Sequence, residues 1–219
     1  MWSYYGSKSK IINKYQPPKY NRIIEPFAGT ARYAYKYWES DVELFDIFPD
    51  IIKIWKYLQQ SNKQDILGLP DVGYKQDIRE FTQLCEEEML LIGYCINRGS
   101  SRRKFTAQKF NSWNSDKIRI ANDLYKIKHW KIYLKSYKEI DTNILATWFV
   151  DPPYQYGGDK YVFNNKKMNY NELSEWCKSL NGQIIVCENS KADWMNFEPL
   201  ASLTGQKHIT KEVVWYSKI

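Results

Sequence analysis

Three features of the sequence predict an α/β fold with a doubly wound, mostly parallel sheet. First, apolar runs of strand length alternate with stretches of helical period. The runs are Arg22-Ile23-Ile24, Val42-Glu43-Leu44-Phe45, Leu145 to Val150 and Ile184-Ile185-Val186-Cys187. Second, the first three of them stop at an acid or a tight turn: Glu25-Pro26-Phe27-Ala28-Gly29, then Asp46, then Asp151-Pro152-Pro153-Tyr154. Open α/β sheets bind ligands at the carboxyl ends of their strands, so these stops point to one shared edge. Third, a basic stretch with helical flanks interrupts the alternation and reads as a small insert. A chain of 219 residues suits one compact domain carrying such an insert.

Composition narrows the partners. Lys and Arg number 32 against 25 Asp and Glu, a formal net charge of +7, which favours a polyanion. Aromatics are plentiful, with 18 Tyr and 9 Trp. The four cysteines, Cys85, Cys95, Cys177 and Cys187, have no C-x-x-C spacing, and only His129 and His208 accompany them. No metal is expected, and the thiols read as free and mostly buried in a reducing cytoplasm. No signal peptide opens the chain and no apolar run reaches membrane-spanning length, so no membrane partner is expected.

Taken in order, Tyr4-Tyr5-Gly6-Ser7-Lys8 is a loop that can lay a ring on a ligand and point an ammonium at a carboxylate. It serves equally as a frayed terminus with snorkelling aromatics. Arg22 to Ile24 is a short buried strand, ended by Pro26. Gly29 lets the backbone turn closely under a ligand, and Ala31 to Glu39 continues as a helix whose start offers free N–H groups. The single glycine is not a G-x-G-x-x-G fingerprint. Val42 to Phe45 is the second strand. Asp46 ends it where doubly wound folds hold ribose hydroxyls; the alternative is a helix cap. Pro49-Asp50 opens a helix to about Gln60, with Asp50 as the nearer cap, which leaves Asp46 for a ligand.

Ser61 to Tyr74 is a polar loop. Lys75 to Asn97 has a long helical pattern, mildly interrupted by Gly93, whose stripe of Phe81, Leu84, Cys85, Met89, Ile92 and Ile96 suits a core. The stretch 97–114 carries Arg98, Arg102, Arg103 and Lys104, then Lys109, Asn111 and Trp113. Its cations suit phosphates, its amides base edges and its rings base faces, so these residues are the expected DNA contacts; a solvated basic loop is the plain alternative. Asp116 to Lys135 reads as a further amphipathic helix. Gln155 to Asn165, rich in Gly, Tyr and Asn, suits a lid. Asn171 to Leu180 is a helix, and Lys211 to Ser217 a terminal strand.

The tetrapeptide Asp151-Pro152-Pro153-Tyr154 carries the chemistry. Two prolines fix φ and remove two donors, so the carbonyls beside them face a gap rather than a ladder. A carboxylate, backbone acceptors and a tyrosine ring at the end of a buried strand suit a flat base bearing an exocyclic amine. The plain alternative is a Pro-Pro turn with an exposed acid.

In this order, Tyr-Tyr-Gly-Ser-Lys, Glu-Pro-Phe-Ala-Gly, Phe45-Asp46-Ile47, the basic aromatic segment and Asp-Pro-Pro-Tyr, the chain resembles the S-adenosylmethionine-dependent DNA adenine-N6 methyltransferases. It is similar to the branch whose cofactor motifs precede the target-recognition segment. The resemblance implies a Rossmann-like methyltransferase sheet formed by 1–74 and 136–219, with 75–135 as the target-recognition insert. It implies S-adenosylmethionine as cofactor, touched by Tyr4, Lys8, Phe27, Gly29, Asp46 and Asp151. It implies Asp151, Pro152, Pro153 and Tyr154 as the catalytic set, acting on a flipped adenine of double-stranded DNA. The setting implied is the cytoplasm of a bacterial or phage-infected cell, as a phage or restriction–modification enzyme. The recognition sequence and oligomeric state stay open. So do cytosine N4 or RNA adenine as acceptor, and a non-catalytic DNA-binding relative.

Overall fold

The computed structural model of the chain describes residues 2, 6, 8–97, 100–204 and 209–217. Seven strands form one sheet: β1 Arg22–Glu25, β2 Asp41–Asp46, β3 Lys131–Leu134, β4 Ala146–Val150, β5 Gly182–Asn189, β6 Glu198–Thr204 and β7 Ile209–Tyr216. Their order is β3-β2-β1-β4-β5-β7-β6. The first five strands in that order pair in parallel; β7 lies antiparallel between β5 and β6. The doubly wound, mostly parallel sheet expected from the sequence is present, and its strand order reverses beside β1, between β1 and β4.

The helices are α1 Arg32–Lys36, α2 Pro49–Gln60, α3 Lys63–Leu67, α4 Glu86–Cys95, α5 Trp113–Asp123 and α6 Tyr170–Ser179. Side chains alternate faces along a strand, so neighbouring residues serve different cores. Ile23 joins a core with Trp55, Leu90, Ile120 and Phe149, built with α2, α4 and α5. Ile24 joins a second with Trp148, Leu173, Cys177 and Trp194, built with α6. Burial on both faces explains the near-continuous apolar runs of β4 and β5.

Several boundaries differ from the periodicity. Lys75 to Asn97 is not one helix. Lys75 has a φ of 66°, Asp77 caps a single 3-10 turn at Ile78–Glu80, and α4 begins only after Cys85. There the Glu88 carboxylate accepts the Cys85 N–H at 2.9 Å, a local start signal stronger than the apolar stripe upstream. Asp116 to Lys135 is likewise divided. After α5 comes a 3-10 turn at Leu124–Ile127, then β3, which extends the sheet beyond β2. The stretch 75–135 therefore supplies a strand of the sheet and two helices of the main core. Helix α3, opened by Asn62 accepting from Gln64 and Asp65, lies in the expected polar loop.

None of the four cysteines is in a disulfide; Cys85 is exposed and the rest are buried. Among the described residues no helix is long and apolar enough to cross a membrane.

Candidate active site

Because β1, β2 and β4 are adjacent and parallel, their carboxyl ends open on one edge. A cavity with about 910 Å³ of non-protein space out to its mouth lies there. Its wall includes Lys8, Phe27, Gly29, Asp46, Asp151 and Pro153, so six of the residues singled out in the sequence share one site. Glu25, Phe48, Phe149, Tyr161 and Phe163 add to it. The turn after β1 is held tightly. Gly29 and Ala31 have φ values of 45° and 44°, the left-handed region. Ala28 N donates to the Phe45 carbonyl, and Trp55 Nε1 to the Gly29 carbonyl, each at 2.9 Å.

Asp46 lies at the floor of this turn. Its Oδ2 accepts the Gly29 N–H at 3.1 Å and its Oδ1 the Phe48 N–H at 2.9 Å. Burial raises its pKa to about 6, against the lowering effect of these backbone donors. Asp50 is not the cap of α2 that the sequence suggested. It sits within the first turn, Phe48 occupies the cap position without a side-chain bond, and Asp46 serves the local N–H groups instead. With Ile47 as a further backbone donor, the carboxylate still has lone-pair capacity for a ligand. Glu25 reaches beneath the start of α1, where its Oε1 accepts the Ala34 N–H at 2.7 Å. Burial raises its pKa to about 8.

At the end of β4, Asp151 pairs with the buried ammonium of Lys8 at 2.7 Å. Burial works against the Lys8 charge, yet Asp151 and then Glu212 raise its pKa above the ordinary lysine value. Burial also raises the pKa of Asp151, and Lys8 counters it. The same ammonium lies 4.6 Å from the centre of the Tyr154 ring. The Tyr154 hydroxyl donates to Glu212 Oε2 at 2.5 Å. Tyr154 thus has one partner over its face and another at its tip, and it is not among the residues lining the cavity.

The chain after Tyr154 is fixed from below. Glu188, fully buried at the end of β5, accepts the Gln155 N–H at 2.6 Å, its neighbour's N–H at 2.8 Å and Trp194 Nε1 at 3.1 Å. Burial holds its pKa at about 7 despite these donors. Tyr170 donates to the Pro153 carbonyl at 2.6 Å. The expected lid folds back as the cavity wall at Tyr161 and Phe163, with Phe163 edge-on to Phe48. Glu188 and Glu212 escaped the sequence reading. An acid beside Asn-Ser, and one in a charged–apolar alternation, both look like solvent positions.

The basic segment is mixed. Arg102, Lys104 and Lys109 are exposed, and Arg103 is half-buried with its guanidinium 5.4 Å from the Phe105 ring centre. Tyr4 and Arg98 lie outside the described residues. Trp113 is not available to DNA. It is fully buried in the main core at the start of α5, and its Nε1 donates to the Pro70 carbonyl at 2.8 Å. Asn111 is also engaged, accepting the Trp113 N–H and donating to the Val72 carbonyl. The exposed ring here is Phe110, 81% accessible beside Lys109.

Among curated proteins none matches the chain. Among solved structures, the chain is similar to the Haemophilus influenzae protein HI0767, provisionally described as a methylase. The identity is 10% over 88% of this chain and 84% of that one, with a TM-score of 0.38, too loose a likeness to carry an argument. The family model of the D12 class N6 adenine-specific DNA methyltransferases matches residues 4–89, which hold Lys8, the glycine turn and Asp46.

Proposed function

We propose that the chain uses S-adenosylmethionine to methylate N6 of an adenine flipped out of double-stranded DNA, in the cytoplasm of a bacterial or phage-infected cell. The observation that carries the reading is the joining of Asp151 to Lys8, Gly29 and Asp46 around one cavity. The residues present fit the cofactor. Asp46 offers lone pairs suited to a diol, Phe27 and Phe48 offer apolar walls suited to an aromatic base, and the glycine turn permits close approach. S-adenosylmethionine, when bound, supplies an electrophilic methyl group.

The protein's own contribution is acceptor placement. The adenine N6 lone pair is delocalised into the ring and is a weak nucleophile. Asp151 and the Pro152 carbonyl would accept its two hydrogens, favouring a pyramidal nitrogen with a localised lone pair. Lys8 offsets the burial of Asp151 and favours its ionised, acceptor-only form. Positioning and fixed electrostatics then supply the acceleration. The base leaves the stack at a cost of about a few kcal/mol, and stacking on Tyr154 would return about 1–3 kcal/mol. Arg102, Arg103, Lys104, Lys109 and Phe110 would meet the duplex.

The test is methyl transfer to adenine-containing duplex DNA, with adenine-free G·C duplex and RNA as competing acceptors. Wild type is expected to label N6 of adenine. Asp151→Asn keeps the shape but turns an acceptor into a donor, so turnover should fall by at least about a hundredfold. Wild-type rates in that variant, or labelling of cytosine or RNA in preference, refute the assignment.

A further inference from the structure

We propose that Glu212 is a positioning residue for methyl transfer, its carboxylate holding the Tyr154 hydroxyl and so fixing the ring plane on which the flipped base would stack. This rests on the functional reading above.

The topology brings Glu212 to the site. A parallel strand would begin at the far edge of the sheet, but β7 runs antiparallel, so its first residues lie at the carboxyl ends of β4 and β5. The register sets Glu212 opposite Asn189 and Val214 opposite Cys187. With a period of two, Glu212 shares a face with Val214, which packs in the main core, and Tyr154 packs against that same core. Glu212 is 6% exposed. A carboxylate taken this far from water needs donors, and the Tyr154 hydroxyl supplies one at 2.5 Å, with the Lys8 charge near both.

The phenol is suited to its part. Burial first, then the charges of Asp151 and Glu212, push its pKa well above the ordinary value, so it remains a donor. A tyrosine ring otherwise turns about two side-chain torsions. Here the tip is tied to β7, and the Lys8 ammonium lies 4.6 Å from the ring centre. The ring is thus held at its tip and over one face, which sets the plane that a base would meet. Glu212 thus acts through Tyr154 and touches no reacting atom.

The experiment is a double-mutant cycle on duplex DNA methylation at saturating S-adenosylmethionine. Tyr154→Phe and Glu212→Ala should each lower kcat about tenfold, with KM for S-adenosylmethionine within about twofold of wild type. The double variant should lie within about threefold of the weaker single variant, because both cut one bond. Glu212→Gln keeps an acceptor oxygen and should recover most of the loss. Should Glu212→Ala fail to fold, Tyr154→Phe still cuts the bond without altering β7. Wild-type kcat in Tyr154→Phe, or single losses that multiply in the double variant, overturn this inference alone while wild type still methylates. Absence of transfer by wild type overturns the functional reading, and this inference with it.

Discussion

Asp46 illustrates what a single position gains from its surroundings. The sequence marks it as an acid at a strand end, with a ligand or a cap as its two uses. In the fold it accepts two backbone N–H groups and also lines the cavity. Two substitutions therefore separate its roles. Asp46→Asn retains one backbone acceptor and faces the other N–H with an NH2 donor, so it should weaken S-adenosylmethionine binding by about tenfold or more and lower the melting temperature by less than the alanine variant does. Asp46→Ala leaves two N–H groups without their acceptor. It should lose binding and also lower Tm by roughly 4–8 °C, for about 2 kcal/mol at this chain length. Calorimetric titration and thermal melting together check both. The motif residues were legible because backbone chemistry marks them: prolines remove donors, and glycine permits the turn. Glu188, Glu212 and Trp113 were not, because their roles depend on which partner strand or helix covers them. A local window carries no such information.

At the scale of elements, α4 and the basic segment fit together through one glycine. Lys104 N donates to the Gly93 carbonyl at 3.1 Å. A Cβ at Gly93 would stand 2.8 Å from the Lys104 carbonyl oxygen and 3.2 Å from Arg103 Cβ. The helical pattern marks Gly93 as a mild weakness; in the fold it is the place where the basic segment rests on the helix. Gly93→Ala would gain up to about 1 kcal/mol of helix propensity, but crowding by backbone at this distance costs about 1–3 kcal/mol. The variant is expected to show weaker duplex binding in a fluorescence titration, with the helical circular dichroism retained. Unchanged DNA affinity would detach the segment from its role. Element types were readable for β1, β2, β4, β5, β7, α2 and α6, where apolar runs are bounded by Pro, Gly or acids. Strand β3 was hidden because Lys131-Ile132-Tyr133-Leu134 prolongs the apolar period of α5. Its state is decided by β2, with which it pairs from Glu43 to Asp46.

The whole molecule carries a linkage between its site and its stability. Burial holds the pKa values of Asp46, Glu188 and Glu25 at about 6, 7 and 8, above reference values of 3.8 and 4.5. From about pH 4 to about pH 8 the folded chain therefore binds more protons at these groups than the unfolded chain. Folding stability must fall as pH rises across this window. The lowered carboxyls, Asp77, Glu86 and Asp123, act the other way only up to their unfolded values of 3.8 and 4.5, so they do not offset the trend above about pH 5. The urea midpoint of the ligand-free protein is expected to be higher at pH 5.5 than at pH 8. A flat or rising profile would refute the protonation assigned to these three acids. Doubly wound topology was legible from alternation alone, since each apolar run needs cover on both faces. The antiparallel entry of β7 was not, because its direction is set by the hairpin with β6.

The two margins of the sheet have a consequence for the chain in a crowded solution. An open sheet exposes unpaired backbone at its first and last strands, where a second chain could add on. Here β3 is four residues long, and its Lys131 is exposed and paired with Glu43. On the other margin, β6 carries an exposed proline, Pro199, and a register shift between Pro199 and Ala201. Among the described residues, a short charged margin and a broken, donor-poor one therefore both disfavour the addition of a second chain's strand.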